Sequence, residues 1–291
     1  MRESESLFLQ IRELRYHVRR WPSSSKKAGA PKMVLLHGWM DVSASFQFMV
    51  DALQREWDVY APDWRGYGLT EWGKGDCYWF ADYIADLEFL LRAVSPTSPV
   101  NLVGHSLGGN VAALYAGTRP ERIGRLINLE GFGLRATRPE QAPERYAKWL
   151  DELRDPPQLR PYAGFAELAD RLRKSNKRLS KDRADFLARH WGQEKDGKVI
   201  LRADPAHKIV NATLYRYEEA LACWKRVTAP VLWVEGEEWD TLKSYGPNAG
   251  QLVERRAAFP NLRHVSIPQS GHMLHHDQPE ALAGVIEAFL D

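Results

Sequence analysis

The sequence predicts an α/β protein in which a mostly parallel sheet of eight strands carries helices on both faces and an inserted helical cap. Three observations favour this fold. Short apolar runs alternate with helical segments, the alternation stops across residues 132–225, and it resumes at residue 226. We therefore expect one core domain, residues 1–131 and 226–291, with residues 132–225 as the cap.

The first two predicted strands differ from the rest, because residues 7–11 and 14–18 alternate apolar with polar side chains. Such alternation is typical of a half-exposed antiparallel hairpin at the edge of a sheet. The later runs are richer in apolar residues, and the run 33–37 is typical of a strand that is buried on both faces. They lie at residues 33–37, 57–62, 100–104, 123–129, 230–235 and 262–267.

The core helices are predicted from apolar residues at three- and four-residue spacing. They lie at residues 44–53, 78–94, 248–258 and 279–290, with one more that ends near residue 118. The cap segment is also helical in pattern, and its Lys and Arg residues outnumber its Asp and Glu residues. A solvated helical surface explains this charge, and a basic lid that attracts acidic substrates or a partner surface is the alternative.

Composition is that of an ordinary globular protein, with 44% hydrophobic and 27% charged residues. A formal net charge of +2 predicts neither nucleic-acid nor membrane association, and no apolar run approaches the length of a transmembrane helix. The polar first residues do not resemble a signal peptide. The two cysteines, Cys77 and Cys223, have neither disulfide-framework nor metal-ligand spacing. We therefore expect a cytoplasmic location, reduced cysteines and no bound metal.

Residues 104–108 carry the clearest chemical signal, the motif Gly-His-Ser-Leu-Gly between an apolar strand and a small-residue helix. Gly-x-Ser-x-Gly at such a turn is a nucleophile elbow, which raises the serine hydroxyl clear of the sheet. The turn holds the serine in a strained conformation, and side chains in place of Gly104 and Gly108 would crowd the neighbouring strand and helix. Ser106 is therefore the candidate nucleophile.

A serine hydroxyl needs a general base, and that base needs a carboxylate to fix its tautomer and stabilise its charge. His272 follows the last predicted strand directly after Gly271, which allows a close approach. His275 and His276 are rivals, but they lie nearer to the final helix and lack a preceding glycine. We therefore predict that His272 is the base.

The acid has several candidates. Asp240 ends the loop that follows the strand 230–235, which is the expected place, and it is our first choice. Glu237 and Glu238 lie in the same loop, and Glu130 ends the strand before the cap, a position that supplies the acid in some relatives of this fold.

The developing oxyanion requires preorganised N–H donors. One should be the amide of Leu107, directly after the nucleophile, and the second the amide of Trp39, where Gly38 lets the backbone turn inward. The Trp39 indole forms a pocket wall or packs in the core. We also expect His37, Gly38, Trp39 and His105 to contact substrate.

Two further features have both structural and functional interpretations. Asp63 and Arg65 form a charged pair in a loop with two glycines, where they are expected to brace the turn. His207 lies in the cap, where it is interpreted as a structural surface histidine, with a reach into the pocket as the alternative.

Together these motifs resemble the α/β-hydrolase superfamily over nearly the whole chain. The matching segments are His37-Gly38-Trp39, the run 63–68, the serine motif 104–109 and Ser270-Gly271-His272. Residues 37–41, 172–176, 204–208 and 222–224 further resemble the serine hydrolase-like proteins and their bacterial relatives. The resemblance implies a helical cap, a Ser–Asp–His triad and no cofactor. One departure concerns the acid, which many members place three residues after the loop glycine, where this chain has Trp239.

These residues predict a serine hydrolase of the carboxylesterase type that forms an acyl-enzyme on a small, hydrophobic carbonyl substrate. The same triad also cleaves carbon–carbon bonds of diketones in related capped hydrolases, and the sequence does not separate the two. A fold retained for ligand binding without catalysis is the non-enzymatic alternative. Dehalogenase and epoxide hydrolase activities are disfavoured, because their nucleophile is an aspartate and this chain has Ser106.

Overall fold

The computed structural model describes residues 1–24, 30–238 and 250–291. Eight strands form one sheet in the order β1-β2-β4-β3-β5-β6-β9-β10, and β7 pairs with β8 in a separate hairpin. The pairs β1/β2 and β2/β4 are antiparallel, and the other pairs in the sheet are parallel. The strands are β1 Glu5–Ile11, β2 Leu14–Trp21, β3 Lys32–Leu36, β4 Asp58–Pro62, β5 Val100–His105, β6 Ile123–Leu129, β7 Gly192–Lys195, β8 Lys198–Leu201, β9 Val231–Gly236 and β10 Leu262–Ile267. The predicted eight-stranded, mostly parallel sheet is confirmed.

Helices cover both faces of this sheet, as predicted. Successive residues of β3 show why, because Val34 and Leu36 point into one hydrophobic layer and Met33 and Leu35 into the other. The first layer includes α2, α3 and α7, and the second includes α1 and α10. Within the described residues the helices are α1 Gln47–Ala52, α2 Phe80–Val94, α3 Leu107–Thr118, α4 Ala142–Arg154, α5 Phe165–Ser175, α6 Lys181–Trp191, α7 Tyr217–Trp224, α8 Gly250–Ala257, α9 Leu274–Asp277 and α10 Pro279–Leu290.

The strand order places the candidate site at one edge of the sheet. Between β3 and β5 the chain changes direction across the sheet, since β4 lies on the other side of β3. Leu36 is in register with Gly104, so the loops after β3 and β5 begin side by side. In open α/β sheets, ligands bind in the crevice outside the carboxyl ends of strands at such a switch point.

Three sequence-based details are corrected. β2 is not an edge strand, because it pairs with β4 and is largely buried, so only β1 lies at that edge. The helix predicted at 44–53 begins as a 3-10 turn, Ser43–Phe46, before α1. The segment 132–225 also contains the hairpin β7–β8. Its turn residues, Asp196 and Gly197, both have positive φ, and an Asp-Gly pair is the sequence signal for such a turn.

Residues 162–201 of this segment pack around a third, smaller hydrophobic cluster that includes Leu168, Leu187 and Val199. Two hydrogen bonds fasten it to the loop after β4. The Gly68 amide donates to Arg202 O (2.8 Å), and the Asp204 amide donates to Gly66 O (2.8 Å). The boundaries 132 and 225 of a separate cap stay a prediction.

Asp63 and Arg65 brace this loop, which is the structural interpretation of the pair. The buried Asp63 carboxylate accepts hydrogen bonds from the amides of Ser43 (2.7 Å) and Leu69 (2.9 Å) and lies 2.7 Å from His17 Nδ1. His17 Nε2 in turn lies 3.0 Å from Ser6 Oγ on the exposed strand β1. Arg65 forms a two-pronged ion pair with Asp86, with distances of 2.6 and 2.7 Å.

We expect Asp63→Ala to lower the free energy of unfolding by about 3–5 kcal/mol, because it leaves a buried histidine and two amides without their acceptor. Urea unfolding followed by tryptophan fluorescence measures this change. Asp170→Ala, an exposed acidic residue of α5, is the matched control. Equal stability of the two variants would contradict the bracing role of Asp63.

Candidate active site

Ser106 lies at the turn from β5 to α3 with φ +52° and ψ −113°. A non-glycine residue in this region of backbone space is strained, and such strain is characteristic of functional turns. The Ser106 amide donates to Leu129 O (2.8 Å), and its carbonyl accepts from the Asn110 amide (3.0 Å), so the turn is fixed on both sides.

The flanking glycines are required by close backbone approach. A Cβ on Gly104 would lie 2.6 Å from the Gly109 nitrogen. A Cβ on Gly108 would lie 2.8 Å from the His37 carbonyl oxygen and closer still to that of Leu36. Both neighbours are backbone atoms of adjoining elements, so neither gives way without shifting a strand or a helix.

We therefore expect Gly108→Ala to lower both thermal stability and any activity that depends on Ser106. The matched control is Gly284→Ala, because a Cβ at that exposed helical position meets no atom within 4 Å. Ala is favoured over Gly in a helix by about 0.5–1 kcal/mol, so the control should be slightly stabilised. Thermal unfolding of both variants measures the contrast, and a Gly108→Ala protein as stable as the control would contradict this geometry.

His272 follows β10 and brings its imidazole to Glu130, at the end of β6. His272 Nδ1 lies 3.4 Å from Glu130 Oε2, and Glu130 Oε1 accepts the Gly236 amide at 2.6 Å. The His272 carbonyl oxygen lies 2.8 Å from His105 Nε2, which anchors the histidine loop beside the serine turn. Glu130 is buried and has φ +58°. A strained residue here points its carboxyl group at the predicted base.

The other candidate acids are placed differently. Asp240 lies outside the described residues, so its position relative to His272 stays a prediction. Glu237 and Glu238 are exposed, and Glu238 forms an ion pair with Arg178. Within the described part of the chain, Glu130 is the carboxylate that contacts His272.

Burial controls the charge of this pair. It raises the pKa of the Glu130 carboxyl to about 9, against which the Gly236 hydrogen bond acts only in part. It also lowers the pKa of the His272 imidazole to about 4. Both shifts have the same cause, since a low-dielectric site disfavours each charged form. The pair therefore holds one dissociable proton at neutral pH and has no net charge.

The two predicted oxyanion donors lie on either side of Ser106. Neither the Leu107 amide nor the Trp39 amide donates a hydrogen bond to another described residue. A Cβ on Gly38 would lie 3.3 Å from Ser106 Cβ, so the loop that carries Trp39 is in close contact with the serine. Both amides are available to a ligand oxygen at the elbow.

An aromatic cleft of about 260 Å³ opens over the serine. Its wall combines the loop after β3, the start of α2 and the segment between β8 and α7. The lining residues are Trp39, Tyr78, Trp79, Phe80, Tyr83, Ser106, Leu107, Asn110, Leu134, His207, Ile209 and Asn211. The aromatic run 78–80 forms part of this wall. Its sequence pattern predicts only the start of a helix, although three adjacent aromatic side chains are a signal for an apolar pocket.

His207 reaches this cleft and is not a surface histidine. Its ring stacks between Tyr67 (3.7 Å between centroids) and Tyr78 (3.8 Å), and its Nδ1 lies 3.3 Å from the Tyr83 hydroxyl oxygen. The Trp39 indole donates to the His207 carbonyl oxygen at 3.3 Å. Burial lowers the pKa of His207 to about 3, so the imidazole is neutral at physiological pH.

His37 and His105, which we expected to contact substrate, have fully buried side chains. His37 Nε2 accepts the Trp64 amide at 2.9 Å, and His105 holds the His272 loop as described above. Both side chains support the loops around the serine. Contact between these two imidazoles and a substrate remains a prediction that would require those loops to move.

One buried cluster has metal-ligand chemistry. Atoms of Asp41, His275 and His276 lie within 4.8 Å of one another, and Asp41 Oδ2, both His275 nitrogens and His276 Nε2 have no hydrogen-bond partner among the described residues. Ligand atoms bound at about 2.0–2.2 Å around a tetrahedral ion lie about 3.4 Å apart, whereas His275 Nε2 lies 3.8 Å from Asp41 Oδ2. These side chains would have to converge before they could hold a metal.

Comparison with known proteins agrees with this geometry. A family model described as alpha/beta hydrolase fold matches residues 31–279. The chain is 25% identical to a serine hydrolase-like protein of Danio rerio over 266 residues, which cover 89% of this chain and 81% of that protein. It is 22% identical to serine hydrolase-like protein 2 of Homo sapiens, over 89% of this chain and 87% of that protein.

Solved structures show the same fold. A thioesterase domain from the curacin biosynthetic pathway superposes with a TM-score of 0.86 at 24% identity, covering 98% of this chain and 99% of that domain. An esterase from Mycobacterium tuberculosis superposes with a TM-score of 0.74 at 21% identity, covering 99% and 92% of the two chains. Within the described residues, no helix is both long enough and apolar enough to cross a bilayer.

Proposed function

This chain belongs to the α/β-hydrolase fold family, and from that premise we propose that it is a serine hydrolase that cleaves carboxylic esters through Ser106. The observation that carries the proposal is the strained serine, φ +52°, at the floor of an aromatic cleft. The serine hydrolase-like relatives and the esterase and thioesterase among similar folds support the same reaction class.

In the proposed reaction, Ser106 Oγ attacks the ester carbonyl carbon while His272 Nε2 takes the hydroxyl proton. The amides of Leu107 and Trp39 donate to the oxygen that becomes negative. Collapse of the tetrahedral intermediate releases the alcohol, which receives the proton from His272, and leaves the acyl group on Ser106. Water then attacks the acyl-enzyme while His272 accepts a proton from it, and His272 returns that proton to Ser106 Oγ as the carboxylic acid leaves.

We propose Glu130 as the carboxylate that orients His272. Its support is the 3.4 Å contact with Nδ1, complete burial and the Gly236 hydrogen bond, which fixes the carboxyl plane. The loop after the strand 230–235 is the expected place of the acid and favours Asp240, which lies outside the described residues. The two assignments make opposite predictions for substitution.

The pH dependence of kcat/KM should report the proton that the pair shares. At neutral pH the raised pKa of Glu130 and the lowered pKa of His272 leave a proton between Oε2 and Nδ1, with hydrogen on Nε2. Nε2 then cannot accept the Ser106 proton. Activity should therefore rise as pH increases through neutrality towards about 9, the raised pKa of Glu130, and fall as pH decreases.

In Glu130→Gln this titration should disappear. The residual activity should keep its value down to a pH below 6.5, because burial lowers the pKa of the remaining titrating group, His272. The measurement is kcat/KM for an activated ester from pH 5 to pH 10, roughly the range over which such groups titrate. An identical profile in the wild type and Glu130→Gln would contradict the pairing of Glu130 with the base.

The cleft favours a substrate with a hydrophobic acyl or alcohol group. Its walls are aromatic, and its volume of about 260 Å³ is below the range of about 300–1,000 Å³ of drug-sized sites. We expect a panel of p-nitrophenyl esters to show highest kcat/KM at short to medium chain length. A ring-fission diketone in the same panel tests carbon–carbon cleavage, and cleavage of the diketone alone would replace the esterase assignment. Turnover of neither class would favour the non-catalytic alternative.

A further inference from the structure

A second, smaller cavity of about 70 Å³ lies between the core and the segment 132–225. It shares no lining residue with the cleft over Ser106. Its wall is built from β2, the loops after β3 and β4, the end of α6 and the residue after β8. Water occupies about 30 Å³ per molecule in the liquid, so the space suits a small ion rather than an organic ligand.

Basic side chains dominate this cavity. Arg19 comes from β2, Arg189 and His190 from the end of α6, and Arg202 follows β8. Arg19 Nη2 lies 3.5 Å from His190 Nδ1, so the two elements meet directly. Among the described residues, none of the three arginines has a carboxylate within 4 Å.

The partners that these arginines do have are neutral. Arg19 donates to Ser4 Oγ at 2.7 Å, while its Nε is buried with no hydrogen-bond partner among the described residues. Arg202 donates to Gly192 O at 3.0 Å, and Arg189 lies 5.9 Å from the Phe165 ring centroid. Arg19 Nε is therefore the buried guanidinium donor of this cavity that has no partner among the described residues, while Arg189 is exposed.

The carboxylate of Asp63 also lines the cavity, but its oxygens are already occupied by His17, Ser43 and Leu69, as described above. Three arginines and one carboxylate leave an excess of positive charge. Burial lowers the pKa of Arg19 and Arg202, with Asp63 acting in the opposite direction, and it lowers the pKa of His190 to about 4. Asp63 offsets this positive charge only in part, and a bound anion would offset more of it.

We propose that this cavity is a binding site for a small oxyanion of the phosphate type. Guanidinium groups present planar, paired N–H donors that match the oxygens of such an ion. Because Arg19 belongs to the core and Arg189 and Arg202 to the segment 132–225, a bound anion would link the two parts of the molecule. The site is independent of Ser106, and it gives a local role to part of the basic charge seen in the sequence.

Isothermal titration with inorganic phosphate at pH 7.5, in chloride buffer of constant ionic strength, tests the proposal. We expect one phosphate per chain in the wild type. In Arg19→Gln and in Arg202→Gln the Kd should rise by about tenfold or more, because each removes charge-assisted hydrogen bonds. Arg171→Gln, an exposed arginine of α5, is the matched control and should bind as the wild type does.

Thermal unfolding with phosphate in place of chloride gives a second measurement on the same proteins. The midpoint should rise more in the wild type and in Arg171→Gln than in the two cavity variants, where the general stabilisation by phosphate and weaker binding remain. No saturable phosphate binding by the wild type would overturn the proposal, as would equal affinity in all four proteins. If one cavity variant fails to fold, the other decides the result, and the outcome is separate from ester hydrolysis at Ser106.

Discussion

Ser106→Ala should lower kcat for the hydrolysis of a p-nitrophenyl ester by a factor on the order of 10⁶, the scale seen when the nucleophile of a serine protease is removed. The physical reason is the loss of the covalent route, since alanine cannot form the acyl-enzyme. The oxyanion donors and the cleft remain, so substrate binding and KM should change little. Steady-state kinetics at saturating ester measures both quantities.

The matched control for this substitution is Ser98→Ala, which removes an exposed hydroxyl before β5 and should retain full activity. The Ser106 variant should unfold at or above the wild-type midpoint, because its backbone turn is held by the flanking glycines and by hydrogen bonds of the main chain. A folded Ser106→Ala protein with more than a tenth of wild-type activity would exclude Ser106 as the nucleophile.

Above about pH 9, where the proposed pair has lost its shared proton, Glu130→Gln should lower kcat about 10⁴-fold, which is the loss that follows when a triad carboxylate becomes an amide. The amide keeps the shape of the side chain, and its oxygen can still accept the Gly236 hydrogen bond. It cannot balance the positive charge that His272 gains in the transition state. Because substrate does not touch this side chain, the effect should appear in kcat and leave KM nearly constant.

The competing acids provide the controls. Asp240→Asn and Glu238→Gln should each retain kcat within about tenfold of the wild type if Glu130 is the triad acid. A 10⁴-fold loss of kcat in Asp240→Asn with a small effect in Glu130→Gln would assign the role of triad acid to Asp240. The pH profiles of the same variants separate an orienting role from a structural one, since only loss of the partner of His272 should remove the proposed titration.

Most of the sheet could be predicted because its central strands are buried on both faces and are therefore mostly apolar. β3, β5 and β9 show this directly. The hairpin β7–β8 was not predicted, because its short strands are largely polar. Its Asp196-Gly197 turn is nevertheless a known sequence signal for a hairpin. The position of β2 depends on its pairing with β4, and no local sequence pattern predicts this long-range contact.

The candidate site also has residues that a local sequence pattern indicates and residues that it does not. Ser106 was predictable because a strained elbow needs small residues at fixed spacing, and His272 because it follows a glycine at the end of a strand. The choice of acid stays a prediction, because Asp240 lies outside the described residues and the contact between Glu130 and His272 joins residues far apart in the chain. The placement of His207 was likewise unpredictable, since its stacking partners Tyr67 and Tyr78 belong to the core.

Labelling with a fluorophosphonate probe tests the central claim most directly, because the probe forms a stable adduct only with an activated serine. We expect one adduct per chain by intact mass, located at Ser106 by peptide mapping, absent in Ser106→Ala and greatly slowed in His272→Ala. Ser6, whose hydroxyl also contacts a histidine paired with an aspartate, should remain unlabelled, because it lies on an exposed strand outside the cleft. Folded wild-type protein that takes up no label, or takes it up at Ser6, would contradict the assignment of Ser106 as the nucleophile of a serine hydrolase.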